Sequence, residues 1–317
     1  MNLNDAFLQV TTETEEQAKT ALSSPSVGLL WLDAGFFAPE RWQFFCEKAH
    51  EGGKLCGLRL PQIWRREAQR FFEAEETRLQ AAGFDALLLG SLEALGFLEQ
   101  AGLHLPLMLD ASVYEFNGLA VEAVEQLCAF ALGEAAGTQA FFEPTGDGQH
   151  GHETDTAKTS PRQNLPDVRP VFAQTLPLEL SARELAPLCK RIEAEGTGAA
   201  LVVYGRTRMM TSSQCVRRTI LGCDKRPVTM ELGDRTGARL PVKNCCCFCE
   251  NRIYNAVPTL LCDQAEALAR LPHRFERCEF TVETAEETEA VLRFYDAPAL
   301  AKRPAQFTRA YFKRGVL

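Results

Sequence analysis

The feature that most constrains this chain is an alternation of short, nearly continuous apolar runs with stretches of helical spacing. The apolar runs are Phe7–Thr11, Val27–Asp33, Leu55–Leu60, Asp85–Gly90, Leu105–Asp110, Pro170–Leu180 and Ala199–Tyr204. Between them lie helical patterns at Glu13–Leu22, Pro39–Glu51, Arg65–Ala82, Leu92–Ala101 and Ala182–Glu195, the first with Thr12 as its expected cap. Strands that are apolar on both faces belong in a parallel sheet with helices packed outside it. Seven of them, roughly 20–30 residues apart once one insertion is removed, predict an α/β fold of the (β/α) TIM-barrel type, incomplete or distorted at seven strands. An eighth strand is left for the segment after the cysteines to supply. No G-x-G-x-x-G turn supports the competing open, doubly wound sheet.

The expected organisation is a barrel-like domain over 1–206 and a cysteine-rich segment over 207–317 with a hairpin and C-terminal α/β elements. The insertion, about 133–168, is rich in Gly, Thr and Asp and nearly free of aliphatic residues. It buries too little apolar surface to offset its ordering entropy, so a flexible loop is expected, with His150 and His152 as loop residues rather than ligands. Beyond Tyr204, Pro227–Leu232 and Ala238–Val242 read as a hairpin turned at Gly233–Gly237. Asn255–Arg270 reads as helix and Phe275–Val282 as strand. Thr284 with Glu287 three residues on reads as a capping box over Thr284–Tyr295.

The chain has 317 residues, 34 Lys+Arg against 42 Asp+Glu, and a formal net charge of −8. That acidic balance argues against a broadly basic nucleic-acid surface but leaves room for a local patch. No apolar run approaches a membrane span and the first residues lack a secretory pattern, so a cytoplasmic protein without a membrane partner is expected.

Eight of the 12 cysteines fall between Cys215 and Cys278, and Cys245, Cys246, Cys247 and Cys249 crowd into five positions. Adjacent cysteines cannot all point into one core. Cys215 and Cys223, followed by the hairpin and then Cys246-x-x-Cys249, form a soft thiolate set for zinc or an iron–sulfur cluster. Cys245 and Cys247 stand as possible substitutes within the set. Between Tyr204 and Lys243 nine basic residues oppose three acids, an excess of six beside the thiolates. Such charge favours an anionic cluster and can hold a phosphate or carboxylate. Asp110, Glu179, Tyr204 and Arg206 end or follow strands, where barrel active sites gather, and are the candidate catalytic residues. Asp110 is a candidate acid/base and Arg206 a candidate anion clamp. Asp110 as a turn cap, Tyr204 as core packing, and Trp64 as helix-start packing rather than a base-stacking platform are the bland alternatives.

The segment Val203-Tyr-Gly-Arg-Thr-Arg-Met-Met-Thr-Ser-Ser-Gln-Cys215, with Gly222-Cys223, Asp234-Arg-Thr-Gly237 and Pro241-Val-Lys-Asn-Cys-Cys-Cys-Phe-Cys-Glu-Asn-Arg-Ile-Tyr-Asn255, resembles the collagenase-like peptidase family, peptidase family U-thirty-two. Gly83–Gly90, Leu109-Asp110 with Phe116-Asn117, and Leu176–Leu180 match weaker landmarks of that family in order. Length and order are most similar to the C-terminal half of its longer members, so the resemblance implies either a short form or part of a larger protein, with a second barrel-type partner or domain. The resemblance implies a barrel fold and a [4Fe–4S] cluster on Cys215, Cys223, Cys246 and Cys249. It further implies oxygen-independent hydroxylation of RNA bases or of a small aromatic substrate, with prephenate implicated in some of these reactions. The sequence departs from the family at Cys245 and Cys247, and at Ala310-Tyr311, where a Gly-His pair is usual. A collagenase-like protease is the alternative function, although no H-E-x-x-H or G-x-S-x-G motif is present. A non-enzymatic module with a structural zinc or iron–sulfur site is the second alternative.

Overall fold

Residues 7–132 and 170–315 are described by the computed structural model of the protein. The strands in chain order are β1 (Phe7–Thr12), β2 (Val27–Asp33), β3 (Leu55–Arg59), β4 (Ala86–Leu89), β5 (Leu107–Leu109), β6 (Val171–Thr175) and β7 (Gly198–Gly205). They continue with β8 (Arg208–Ser212), β9 (Thr229–Gly233), β10 (Arg239–Cys245), β11 (Glu250–Tyr254), β12 (Thr259–Leu260) and β13 (Phe275–Glu279). The helices are α1 (Glu15–Ser23), α2 (Pro39–Glu51), α3 (Arg66–Ala81), α4 (Ala94–Gln100), α5 (Gly118–Leu132), α6 (Ala182–Ala194), α7 (Val216–Leu221), α8 (Ala265–Leu268) and α9 (Ala285–Asp296).

Strands β1 to β7 pair in parallel in sequence order, and β13 closes the ring between β7 and β1, also in parallel. The fold is therefore a closed, eight-stranded α/β TIM barrel. Its eighth strand does come from beyond the Cys245–Cys249 run and carries Cys278. The barrel accordingly runs past residue 206, and the thiol-bearing chain is an insertion between its seventh and eighth strands. The expected insertion at 133–168, with His150 and His152, lies outside the described residues.

Inside the barrel, Leu29, Trp31, Leu88, Met108 and Phe275 are buried among small residues such as Ala86, Ala173 and Ala200. Gly57 makes room for Trp31, since a Cβ there would sit 2.2 Å from the indole. Alternating large and small side chains fills the taper of a small barrel. The larger core lies between the strands' outer faces and the helices, where Phe45, Phe72, Leu98 and Ile192 are fully buried. Toward the strands' C-terminal ends the interior turns polar, and this layer positions the site described below.

Two local readings change. The cap of α1 is Thr14, not Thr12: its hydroxyl accepts from Gln17 N, and the Gln17 side chain returns the bond. The Asn255–Arg270 stretch is not one helix but β12, paired antiparallel to β7, followed by the short α8. The hairpin is present as β9 and β10, with Gly237 at φ 85° in its turn, and β8 and β11 extend it to a four-stranded antiparallel sheet. Among the described residues, no helix is long and apolar enough to cross a membrane.

Candidate active site and thiol cluster

The barrel mouth opens into a cleft of about 720 Å³ including its open entrance, lined among others by Arg59, Asp110, Glu179, Arg206, Arg208 and Glu279. Its floor is an ion network. Asp110 follows β5 and is buried; its Oδ2 accepts from Arg59 Nε at 3.0 Å and Nη2 at 2.7 Å, and its Oδ1 accepts from Arg277 Nη2. Arg277 Nη2 also donates to Glu279 Oε1 at 2.8 Å, and Arg277 Nη1 to Thr175 Oγ1 at 3.0 Å. Burial alone raises the Asp110 carboxyl, but the charges of Arg59 and then Arg277 outweigh it and hold the group well below the usual carboxylate range. A carboxylate locked between two guanidinium groups is a fixed counter-ion, so Asp110 is corrected from acid/base candidate to floor of the site. It also caps the following turn, accepting from Ala111 N at 2.8 Å.

The other three candidates separate. Glu179 lines the cleft half-buried and makes no ion pair or hydrogen bond with another described residue. Arg206 lines the cleft with Nε 3.3 Å from Glu283 Oε1 and Nη1 donating to the carbonyls of Asn255 and Ala256. Tyr204 does not line it. Its ring packs against Phe280 at 5.4 Å and its hydroxyl donates to Glu283 Oε1 at 3.3 Å, with burial and then the Glu283 charge pushing its ionisation up. The expectation that Tyr204 borders the mouth is therefore corrected to a packing role. Trp64 likewise stacks on Phe72 at 5.1 Å, within the protein.

A second buried network connects the mouth to the thiols. Tyr254 lines the cleft and donates to Glu13 Oε1 at 2.6 Å, and Lys243 Nζ lies 2.7 Å from Glu13 Oε2. Arg252 bridges Asp33, at 2.7 Å, and Glu250, at 2.8 Å. The end-of-strand rule that selects Asp110 also fits Arg59, Asp33 and Glu279, which the sequence reading passed over.

The turn from β10 to β11 carries Cys246 and Cys249, the latter at φ 51°, a left-handed backbone that non-glycine residues adopt at a cost. Cys246 is half-buried, and its thiol is pushed up first by burial and then by the charges of Cys215, Cys245, Cys223 and Cys249. The thiols of Cys215, Cys223 and Cys249 thus all lie within electrostatic reach of Cys246. Cys215 caps α7, and its sulfur accepts from Arg218 N at 3.4 Å and Asn244 Nδ2 at 3.2 Å. Two N–H groups thus face the Cys215 sulfur. Among the described residues, no three His, Cys, Asp or Glu side chains converge closely enough to hold a metal as they stand. The sulfurs of Cys245 and Cys247 are 3.4 Å apart, and each lies 3.4 Å from Gly35 O.

No family model and no curated protein matches the chain. Among solved structures it is similar to thiamine phosphate pyrophosphorylase from Pyrococcus furiosus, at 10% identity over 93% of this chain and 98% of that one, with a TM-score of 0.41. An uncharacterized B. cereus protein matches at 10% identity over 92% and 66%, with a TM-score of 0.42. Dipeptide epimerase from Enterococcus faecalis V583 matches at 11% identity over 63% and 48%, with a TM-score of 0.35, so the chain spans about half the epimerase's length. At such scores these likenesses carry no argument about chemistry. The barrel rests on its own strand pairing.

Among the described residues no cysteine thiol is hydrogen-bonded to a histidine. His50 and His273 bond instead to Asp85 and Glu276, at 2.9 and 3.1 Å.

Proposed function

We propose that the chain is a barrel enzyme, similar to proteins of peptidase family U-thirty-two, in which Cys215, Cys223, Cys246 and Cys249 hold a [4Fe–4S] cluster. Its activity in this reading is oxygen-independent hydroxylation of an RNA base or a small aromatic substrate. The observation that carries the reading is the tie between the two cysteine-bearing segments: Asn244, two residues before Cys246, donates from Nδ2 to the Cys215 sulfur at 3.2 Å, and the charges of Cys215, Cys245, Cys223 and Cys249 all bear on Cys246. The donor set is all thiol, with Asn244 and Arg218 directing N–H groups at the Cys215 sulfur, which fits a thiolate-held group. When bound, such a cluster supplies one-electron transfer.

The chain's own residues supply binding and positioning. Arg59 and Arg277 fix the floor of the cleft, Arg206 presents a guanidinium at its wall, and Glu179 is a carboxyl there with no ion pair or hydrogen bond to another described residue. Arg218, Lys225, Arg226 and Arg235 on the inserted arm are exposed and pair with no other described acid, as a polyanion contact requires. That feature favours RNA over a small aromatic substrate. The protease reading has no support in a thiol–histidine pair among the described residues. The non-enzymatic alternative, a structural zinc, uses the same four thiols.

The test is nucleoside mass spectrometry on RNA from cells lacking this chain. One hydroxylated nucleoside disappears and returns with the wild-type chain but not with Cys246→Ala. RNA binding weakens steeply with salt, and more gently once Arg218 and Arg226 are replaced by Ala. An unchanged nucleoside profile together with salt-insensitive binding removes RNA as the substrate.

A further inference from the structure

We propose that Cys245 and Cys247 are a modification site: a dithiol that closes to a reversible intrachain disulfide. The inference does not rest on the cluster, because neither sulfur is among its four proposed ligands. The two sulfurs are 3.4 Å apart, and a disulfide requires about 2.05 Å, so an approach of about 1.4 Å closes the bond. Both sulfurs lie 3.4 Å from Gly35 O, on the side of the turn toward the barrel. Gly35 keeps the space open, since a Cβ there would sit 2.7 Å from the Cys245 sulfur and 2.8 Å from Arg252 Nη2.

Another pair, Cys46 and Cys56, is in hydrogen-bond contact, but both are sealed in the core. Cys247, by contrast, is half-buried rather than sealed in the core. In the reaction the Cys247 thiol gives up its proton as its sulfur attacks one sulfur of the oxidant, which releases its first thiol. Cys245 then attacks the Cys247 sulfur and expels the second. Two protons and two electrons leave the protein, and the oxidant's S–S bond is reduced to two thiols. A bridge across one intervening residue is strained and therefore readily reduced, which suits a reversible mark rather than a staple. It also tightens the turn that carries Cys246 and Cys249.

The experiment treats the full chain, in native buffer, with oxidised glutathione, followed by alkylation and peptide mass spectrometry. The expected result is a peptide lighter by two hydrogens, with Cys246 alkylated and Cys245 and Cys247 not. The change is reversed by dithiothreitol and absent in Cys247→Ser. Cys46 and Cys56 alkylate after unfolding in both proteins. Absence of the bridge in native buffer, its formation only in urea, or a bridge through Cys246 or Cys249 overturns the proposal. Loss of iron from a Cys246→Ala variant bears on the cluster alone, so the two ideas fail separately.

Discussion

Arg277 is a full positive charge with none of its side chain exposed, held in place by Asp110, Glu279 and Thr175. Removing one partner of such a pair leaves the other charge buried and unmatched, at a cost of about 3–5 kcal/mol. Arg277→Ala is therefore expected to lower the urea midpoint by that equivalent. Asp110 gives the pH signature. Its folded pKa is depressed, so its contribution is complete above the unfolded value of about 4 and is lost as pH falls through the folded one. Urea titrations between about pH 6 and 3 should show wild-type stability declining at the acid end and Asp110→Asn, less stable throughout, declining less. The sequence placed Asp110 at a strand end and offered the capping role. It could not show Arg277, which sits 167 residues away and meets Asp110 only once β13 closes the ring. Ala310 makes a smaller point: at φ 45° a glycine is less strained, and Ala310→Gly should gain a few tenths to about 1 kcal/mol in thermal unfolding.

Helix α9 is the element most fully legible in the sequence. Thr284 accepts from Glu287 N at 3.2 Å and Glu287 Oε2 accepts from Thr284 N at 2.9 Å, so the capping box is reciprocal. Thr284→Ala should cost about 1 kcal/mol, read from thermal unfolding, with the barrel otherwise intact. The same signal misplaced α1 by two residues, because Thr12 and Thr14 are both plausible caps. Thr12 also has a capping-box residue three on, Glu15, but Thr12 is committed to β1 and Glu15 pairs with Arg41, so Thr14 and Gln17 close the box. Elsewhere the local pattern was overruled by distant backbone. Thr259 and Leu260 form a strand because Gly205 and Tyr204 offer them an antiparallel edge, which no window of sequence around 255–270 contains. β8 and β11 were missed for a related reason: their pairing runs between segments about 40 residues apart, and the cysteines drew the reading toward ligands rather than strands.

At the scale of the molecule, the barrel and the thiol segment are interleaved. β13 supplies partners to both β7 and β1, so a chain ending at residue 206 leaves each of these strands with one unpaired edge and the Asp110 network without Arg277 and Glu279. Such a 1–206 fragment is expected to lack a cooperative unfolding transition by circular dichroism, whereas a 1–315 chain retains it. The interleaving also places the thiol turn against the barrel. Phe248, between Cys247 and Cys249, packs on Phe71 and Phe72 at centroid distances of 5.3 and 6.0 Å. The central claim concerns what the four thiols hold. The direct measurement is anaerobic purification followed by visible absorption and by iron, sulfide and zinc content, beside Cys246→Ala and Cys249→Ala. The account predicts a brown protein with about four irons per chain, lost in both variants. A colourless protein with one zinc, or with no metal and free thiols, would contradict it.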